Sequence, residues 1–309
     1  MGRQLRRTCA RHGDGDGATR SPAKGESARS LGWVDQKVSV DLSGAPQTML
    51  ATLYLKALDA DFARPILGDR YAKEAAARLD YDFTDIGITA KWAPLITVRT
   101  AQYDIWARQF LAVHPRCTVI HLGCGMDSRV FRLDPGPDVR WYDVDYPEVI
   151  ALRQQVFGSR PGYQLLPASA TDMSWLDQIP ADGPALLLAE GISMYLTADE
   201  GAALLSRFVD RFGSGELQID FYSRLAIRSQ KGHTLVRRTG SKLFWGVDSP
   251  QDVLDRVPGI RLLIAVTLFD ASTFRGAPRG FRMAGRLSRI APPLRRTLQY
   301  HRYAFGPVS

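Results

Sequence analysis

The residues best placed to do chemistry lie around Gly123. The run Thr118-Val119-Ile120-His121-Leu122-Gly123-Cys124-Gly125 reads as a buried strand that turns on two glycines. Glycine at both positions allows a sharp bend and a close backbone approach to a ligand, with no Cβ in the way. Met126–Leu133 then starts a helix, with Asp127 or Ser128 as the capping residue. About 20 residues further on, Trp141-Tyr142-Asp143-Val144-Asp145 ends a second strand in acid, where a carboxylate can accept both hydroxyls of a ribose. The competing reading, which needs no ligand, is an Asp pair capping the next helix before Pro147.

An adenosine site of this kind serves a nicotinamide dinucleotide and S-adenosylmethionine equally, so other residues must separate them. A dinucleotide fingerprint wants a third glycine at position 128, where this chain has Ser128. In Ala170-Thr171-Asp172-Met173, Asp172 could accept from an adenine amino group; otherwise it is a helix cap. Glu190, after Leu187-Leu188-Ala189, falls at the carboxyl edge of the sheet. An acid there suits an ammonium or a sulfonium and repels a pyrophosphate; its alternative is a plain loop residue. Arg99 shares a helical face with Leu95, Tyr103, Trp106 and Phe110, so its guanidinium must be paired. It suits the carboxylate of an amino-acid ligand, gripped bidentately, or an internal salt bridge to an Asp. Together these favour the methyl donor. The rivals are an NAD(P)-dependent oxidoreductase, which lacks a Tyr-x-x-x-Lys pair near the fourth strand, and a basic nucleic-acid-binding protein.

The elements that must position these residues follow from the apolar pattern. From Pro46 to Val113 the spacing is helical, with Met49, Leu50, Leu53 and Ala57, then Ala72, Ala75, Ala76 and Leu79, then the face of Arg99. After Pro115, strand-sized runs at Thr118–Leu122, Val139–Val144, Tyr163–Leu166, Ala185–Ala189 and Leu217–Tyr222 alternate with helical stretches at Ser128–Leu133, Pro147–Phe157, Trp175–Ile179 and Ala198–Phe212. This alternation predicts an α/β fold, a doubly wound, Rossmann-like parallel sheet covered on both faces, under an N-terminal helical cap. Leu262–Phe269 and Tyr300–Phe305 read as two late strands separated by a long Arg/Gly/Pro segment. The expected domain plan is a disordered basic tail over 1–35 and one domain over 36–309. Within it, 36–114 is the cap and 115–309 the core, with an insertion at about 223–257 lying over the ligand crevice.

Composition bounds the rest. The 309 residues are 45% apolar and 23% charged, enough for a sizeable core. No apolar run approaches the roughly 18–20 residues of a membrane helix, so no membrane partner is expected. Cys9, Cys117 and Cys124 form neither a disulfide framework nor a zinc set, which points to a reducing cytoplasm and to no metal. Arg6-Arg7 is not followed by the apolar stretch of an export signal. Of the net charge of +8, residues 1–30 carry +4 and residues 275–302, with eight Arg and no acid, carry +8, leaving about −4 on the remainder. The basic ends read as solvated faces that could also touch an anionic surface, and nucleic acid is an unlikely partner.

Val98-Arg99-Thr100, Leu122-Gly123-Cys124-Gly125-Met126-Asp127-Ser128-Arg129, Asp143-Val144-Asp145-Tyr146-Pro147 and Ala189-Glu190-Gly191 through Met194-Tyr195-Leu196, in this order and spacing, resemble the leucine carboxyl methyltransferase family. The likeness is closest to its branch of bacterial polyketide-tailoring O-methyltransferases, and it covers about residues 45 to 270. It implies a class I methyltransferase sheet of seven strands with the last antiparallel, and S-adenosylmethionine as cofactor. It also implies roles. Arg99 would hold the donor's carboxylate and Gly123 its methionine portion. Asp145 would bind the ribose, Asp172 and Met173 would border the adenine, and Glu190 would lie near the amino group. Lys56 would match a basic position of the first helix, and Gly125 completes the turn. The family often has Glu where this chain has Asp143 and a small residue at Cys124.

A sulfonium donor is already activated, so catalysis of methyl transfer is largely alignment. A carboxylate acceptor is ionised at neutral pH and needs no base; a phenol, with a pKa of about 10, benefits from one. His233, in the insertion, is the histidine that could reach an acceptor, while His121 inside the first strand reads as structural. Tyr195, Tyr222 and Trp245 are candidate acceptor-site residues, each with core packing as the alternative. No catalytic residue is assigned. The acceptor expected is a small aromatic or polyketide-like molecule methylated on a carboxylate or a phenol.

Overall fold

Seven strands converge on a single mixed sheet in this computed structural model, which describes residues 37–40, 47–230 and 241–307. The basic tail, Cys9 and His233 lie outside the described residues. Residues Lys37–Ser309 form one unit.

The short strands β1 (Val38–Ser39) and β2 (Leu79–Asp80) pair in parallel, a feature the apolar pattern did not announce. The cap consists of α1 (Gln47–Ala60), α2 (Arg70–Arg78) and α3 (Ala93–Val113). The core begins with β3 (Cys117–Leu122), α4 (Arg129–Leu133), β4 (Val139–Asp145), α5 (Pro147–Val156) and β5 (Tyr163–Pro167). It continues with β6 (Ala185–Ala189), α6 (Ala198–Phe212), β7 (Gly215–Tyr222), α7 (Arg224–Arg228) and α8 (Gln251–Leu254). The chain ends with β8 (Ile260–Thr267), α9 (Arg279–Leu287), α10 (Pro292–Arg295) and β9 (Leu298–Phe305). The sheet order is β5-β4-β3-β6-β7-β9-β8, and the final strand β9 runs antiparallel to both of its neighbours. The expected doubly wound seven-stranded sheet with its last strand antiparallel is therefore present, and every expected strand is found within two residues of its apolar run.

Physical reasons are visible in each layer. All residues of β3 and β6 are buried, as central parallel strands require. On one sheet face, Val98, Tyr103, Trp106 and Phe110 of α3 join Val119, Trp141, Leu186 and Leu188. On the other, Leu204, Leu205 and Phe208 of α6 join Leu187, Leu217 and Ile219. Full burial of such side chains contributes about 1.5–3 kcal/mol each. The N-terminus of α6 is fixed by a capping box between Thr197 and Glu200, and its end by Gly213 at φ +68°.

Two segments differ from expectation. Where a helix was expected over Trp175–Ile179, a 3-10 helix spans Met173–Gln178, with Asp172 capping it through the Ser174 N–H and Ile179 as its C-terminal cap. The Arg/Gly/Pro stretch before β9 contains α9 and α10, each opened by proline, Pro278 as the cap of α9 and Pro292 as the first residue of α10.

Candidate functional site

The glycine turn leaves β3 at the carboxyl edge of the sheet, where the strand order reverses between β4 and β6. Gly123 has φ +63° and Gly125 φ +47°. A Cβ on Gly123 would stand 2.8 Å from Ile192 Cδ1, and one on Gly125 3.0 Å from Met49 Cβ. Both the dihedral and the space exclude a side chain, which is why the sequence spends two glycines here. The Gly123 N–H donates to Val144 O at 2.8 Å, tying the turn to β4.

A cavity partly open to solvent lies over this turn. Its wall includes Lys56 of α1, Arg99 of α3, Gly123 and Gly125, Asp145 at the end of β4, Ala168–Thr171 after β5, and Glu190 and Tyr195 after β6. Six of the eight residues expected around the donor thus meet at one cavity. Asp145 accepts from Gly125 N at 2.7 Å and from Tyr146 N at 2.8 Å. Burial raises its carboxyl above the usual range, and these two N–H donors limit the rise.

Beneath the cavity runs a continuous ionic cluster that links six parts of the chain. Lys56 Nζ donates to Asp127 at 2.7 Å, and Arg132 bonds Asp127 at 3.1 Å, Asp69 at 2.6 Å and Asp104 at 2.6 Å. Arg129 bonds Asp104 at 2.9 Å and also Glu190. Arg99 Nε reaches Glu190 at 3.0 Å and its Nη1 reaches Asp220 of β7 at 2.8 Å. Thr100 Oγ1 donates to Glu190 at 2.7 Å. Burial alone would raise the Glu190 carboxyl, but Arg129 and Arg99 overcome it and hold Glu190 ionised far below the carboxylate range. Burial likewise opposes the charge of Arg99, and Asp220 and Glu190 more than offset it. The internal ion pair foreseen as an alternative for Arg99 is formed, and the side chain still borders the cavity.

The remaining expectations land as follows. Asp172 and Met173 are outside the cavity wall: Asp172 Oδ1 accepts from Ser174 N at 3.2 Å, and Met173 packs against the core. Ser128 occupies the N-cap position of α4, but its side chain makes no capping bond: its Oγ donates to Asp69 at 2.7 Å, and Asp127 is held by Lys56. Tyr195 lines the cavity and burial raises its phenol, whereas Tyr222 does not line it. Trp245 is 3% exposed and stands against Phe221 at 4.9 Å and over Gly201, inside the core behind the sheet edge.

Asp143 does not line the cavity; Trp141 Nε1 (2.8 Å), Tyr163 Oη (2.7 Å) and Arg153 donate to it. His121 does line the cavity, with Nδ1 3.3 Å from Asp143 Oδ1 and Nε2 3.2 Å from Arg129 Nη1. A guanidinium only donates, so Nε2 is the acceptor and its lone pair is occupied. The sequence reading missed Asp104, Arg129, Arg132 and Asp220 as supports of the site. The Asp-Ser-Arg run after the glycine turn was the one signal that could have found Arg129.

Comparison with known proteins is consistent with this geometry. The sequence profile of the family described as leucine carboxyl methyltransferase matches residues 50–209. The Streptomyces glaucescens tetracenomycin polyketide synthesis O-methyltransferase TcmP is 39% identical over 86% of this chain and 99% of its own. The S-adenosyl-L-methionine-dependent methyltransferase dpfgK of Gibberella zeae is 33% identical over 73% of this chain and 83% of its own. Among solved structures, a methyltransferase candidate from Thermobifida fusca superposes with a TM-score of 0.54 at 14% identity, covering 82% of this chain and 94% of its own, a likeness of fold. The chain belongs to the leucine carboxyl methyltransferase family and is an S-adenosylmethionine-dependent O-methyltransferase.

Proposed function

We propose that the cavity over Gly123 holds S-adenosylmethionine and that the acceptor oxygen is a carboxylate of a small aromatic, polyketide-like metabolite. The observation that carries the donor half is the charge of the wall. Lys56 and Arg99 face it, against Asp127, Asp145, Glu190 and Glu200. An acidic surplus stabilises a ligand bearing sulfonium and ammonium charge and would oppose a pyrophosphate.

In this reading the Asp145 carboxylate, oriented by two backbone N–H groups, accepts the ribose hydroxyls. Gly123 and Gly125 let the methionine portion lie against backbone. Arg99 offers Nη2, which has no hydrogen bond among the described residues, to the donor's carboxylate. Glu190 keeps Arg99 aimed and contributes negative charge near the amino group, while Lys56 holds Asp127 at the mouth of the turn. Ala168–Thr171 border the adenine, with Asp172 and Met173 behind them. The donor supplies a methyl group on a sulfur that leaves as a neutral sulfide.

The carboxylate acceptor is supported by the state of the titratable lining groups. The His121 lone pair is taken by Arg129, Glu190 is held ionised by two arginines, and burial raises the Cys124 thiol. Engaged in this way, none of the three offers a free base to a phenol, and a carboxylate asks for none. Tyr195, on the wall beside Ile192 and Leu196, would form part of the acceptor side. The identity of relatives such as TcmP favours a polyketide skeleton.

Methyl-labelled donor, incubated with the enzyme and matched aromatic acids and phenols, tests both halves. The account predicts label in an ester that mild alkali releases as methanol. Label retained through alkali treatment would mark an aryl ether and overturn the carboxylate assignment.

A further inference from the structure

The arginine-rich segment before β9 reads in sequence as a solvated face that could also touch an anionic surface, and the structure gives it more definite form. In α9, Arg279, Arg282, Met283, Arg286 and Leu287 recur at positions i, i+3, i+4, i+7 and i+8, so they share one face. All five are exposed, Met283 by 54% and Leu287 by 61%. The opposite face is fixed to the body: a Cβ on Gly285 would stand 2.7 Å from Phe274 Cε1. Ile290 (85% exposed) and Leu294 (63% exposed) follow within seven residues of Leu287. Beside the helix lies a groove that includes Arg275, Arg279, Arg282 and Arg286, with Phe269 and Phe274 at its base. None of these four arginines has an ion pair among the described residues; Arg295, at the same groove, is paired with Asp270.

We propose that this surface, α9 with the turn that follows it, docks on an anionic phospholipid bilayer. The groove arginines take headgroup phosphates, for which planar guanidinium groups are well suited. Met283, Leu287, Ile290 and Leu294 enter the boundary of the acyl layer, and the arginine stems lie along it. Charge complementarity is one-sided, since four arginines without an ion pair among the described residues line the groove and no acid does. Four protruding aliphatic side chains interleaved with arginines on one short helix and its following turn form the pattern of a segment lying in a membrane interface. This pattern separates a bilayer from nucleic acid, whose phosphates gain nothing from protruding aliphatic groups. Nothing here depends on the donor or acceptor assignment.

The test is co-sedimentation of the full chain with vesicles of phosphatidylcholine alone and of phosphatidylcholine with 30% phosphatidylglycerol, the proportion being chosen at about the anionic content that gives a useful surface potential. Binding to the anionic vesicles only is expected. Arg282→Ala/Arg286→Ala should weaken it more than tenfold, at about fivefold per arginine. Leu287→Ser/Ile290→Ser, which leaves the charge unchanged, should also weaken it several-fold. Circular dichroism and methyl-transfer activity should be unchanged in both variants. No binding to anionic vesicles at low salt would overturn the proposal. So would binding indifferent to both pairs of substitutions, which would locate it elsewhere in the chain. Loss with the arginine pair alone, accompanied by equal affinity for duplex DNA, would mark a general polyanion surface and overturn it as well.

Discussion

Arg99 Nη1 donates to Asp220 Oδ2 at 2.8 Å across 121 residues of chain, and both side chains are buried. The other Asp220 oxygen accepts from Gly191 N at 2.7 Å. One carboxylate on β7 therefore fixes both the cap helix α3 and the loop after β6 that carries Glu190. Removing one member of a buried pair leaves the other charged and unpaired, at a cost of about 3–5 kcal/mol. Asp220→Ala is expected to lose stability of that order in urea unfolding, and Asp220→Asn clearly less, since its amide oxygen can still accept from Gly191. Equal, small losses in both variants would show that the pair does not support the fold.

The contact between Gly123 and Ile192 gives a second prediction. Gly123→Ala places a methyl group 2.8 Å from Ile192 Cδ1 at a φ of +63°. Strain of this kind costs about 1–3 kcal/mol. Adding Ile192→Val removes the nearest carbon and should recover part of the loss, leaving the dihedral part. A double-mutant cycle on thermal unfolding measures this coupling; strictly additive effects would place the cost of Gly123→Ala elsewhere.

His301 makes stability depend on pH in a defined window. Its ring is wholly buried, with Nδ1 2.8 Å from Tyr303 Oη, and burial pushes the imidazole down to about 4. The unfolded chain titrates near 6.5. Because the folded value is the lower one, the contribution is full above about pH 6.5 and is lost as pH falls toward 4. The gap corresponds to about 3 kcal/mol. Glu190 and Asp127 are held low by their arginines and Lys56 in spite of burial, so their contributions are full above the ordinary carboxylate range and are lost progressively as pH falls from about 5. Urea midpoints at pH 7.5, 6 and 5 should fall for the native chain and fall less for His301→Gln. Parallel pH curves for the two would remove His301 as the cause.

Periodicity made the sheet legible because each strand is a short apolar run between turn residues, and Ala185–Ala189 is buried along its whole length. The turn at Gly123 and the acid at Asp145 were legible because their spacing along the chain is itself the geometry. The ionic cluster was not. Arg99 meets Glu190 across 91 residues and Asp220 across 121, and no local pattern says which acid a buried arginine will meet. Trp245 reads in sequence as part of an insertion over the ligand crevice; the missing side chain of Gly201, on α6, opens the slot that it fills instead. Asp172 shows the opposite limit. A loop acid can serve a ligand or a helix end, and the N–H of Ser174 lies 3.2 Å from its oxygen.

The central claim is that the donor sits over Gly123 with its ribose on Asp145. Titration calorimetry of S-adenosylhomocysteine into the native chain and into Asp145→Ala tests it most directly. The account predicts binding by the native chain and a loss of at least tenfold in Asp145→Ala, about 1.4 kcal/mol, with unfolding of the unliganded variant little changed. Equal affinity of the two folded proteins would contradict it and move the donor away from Asp145.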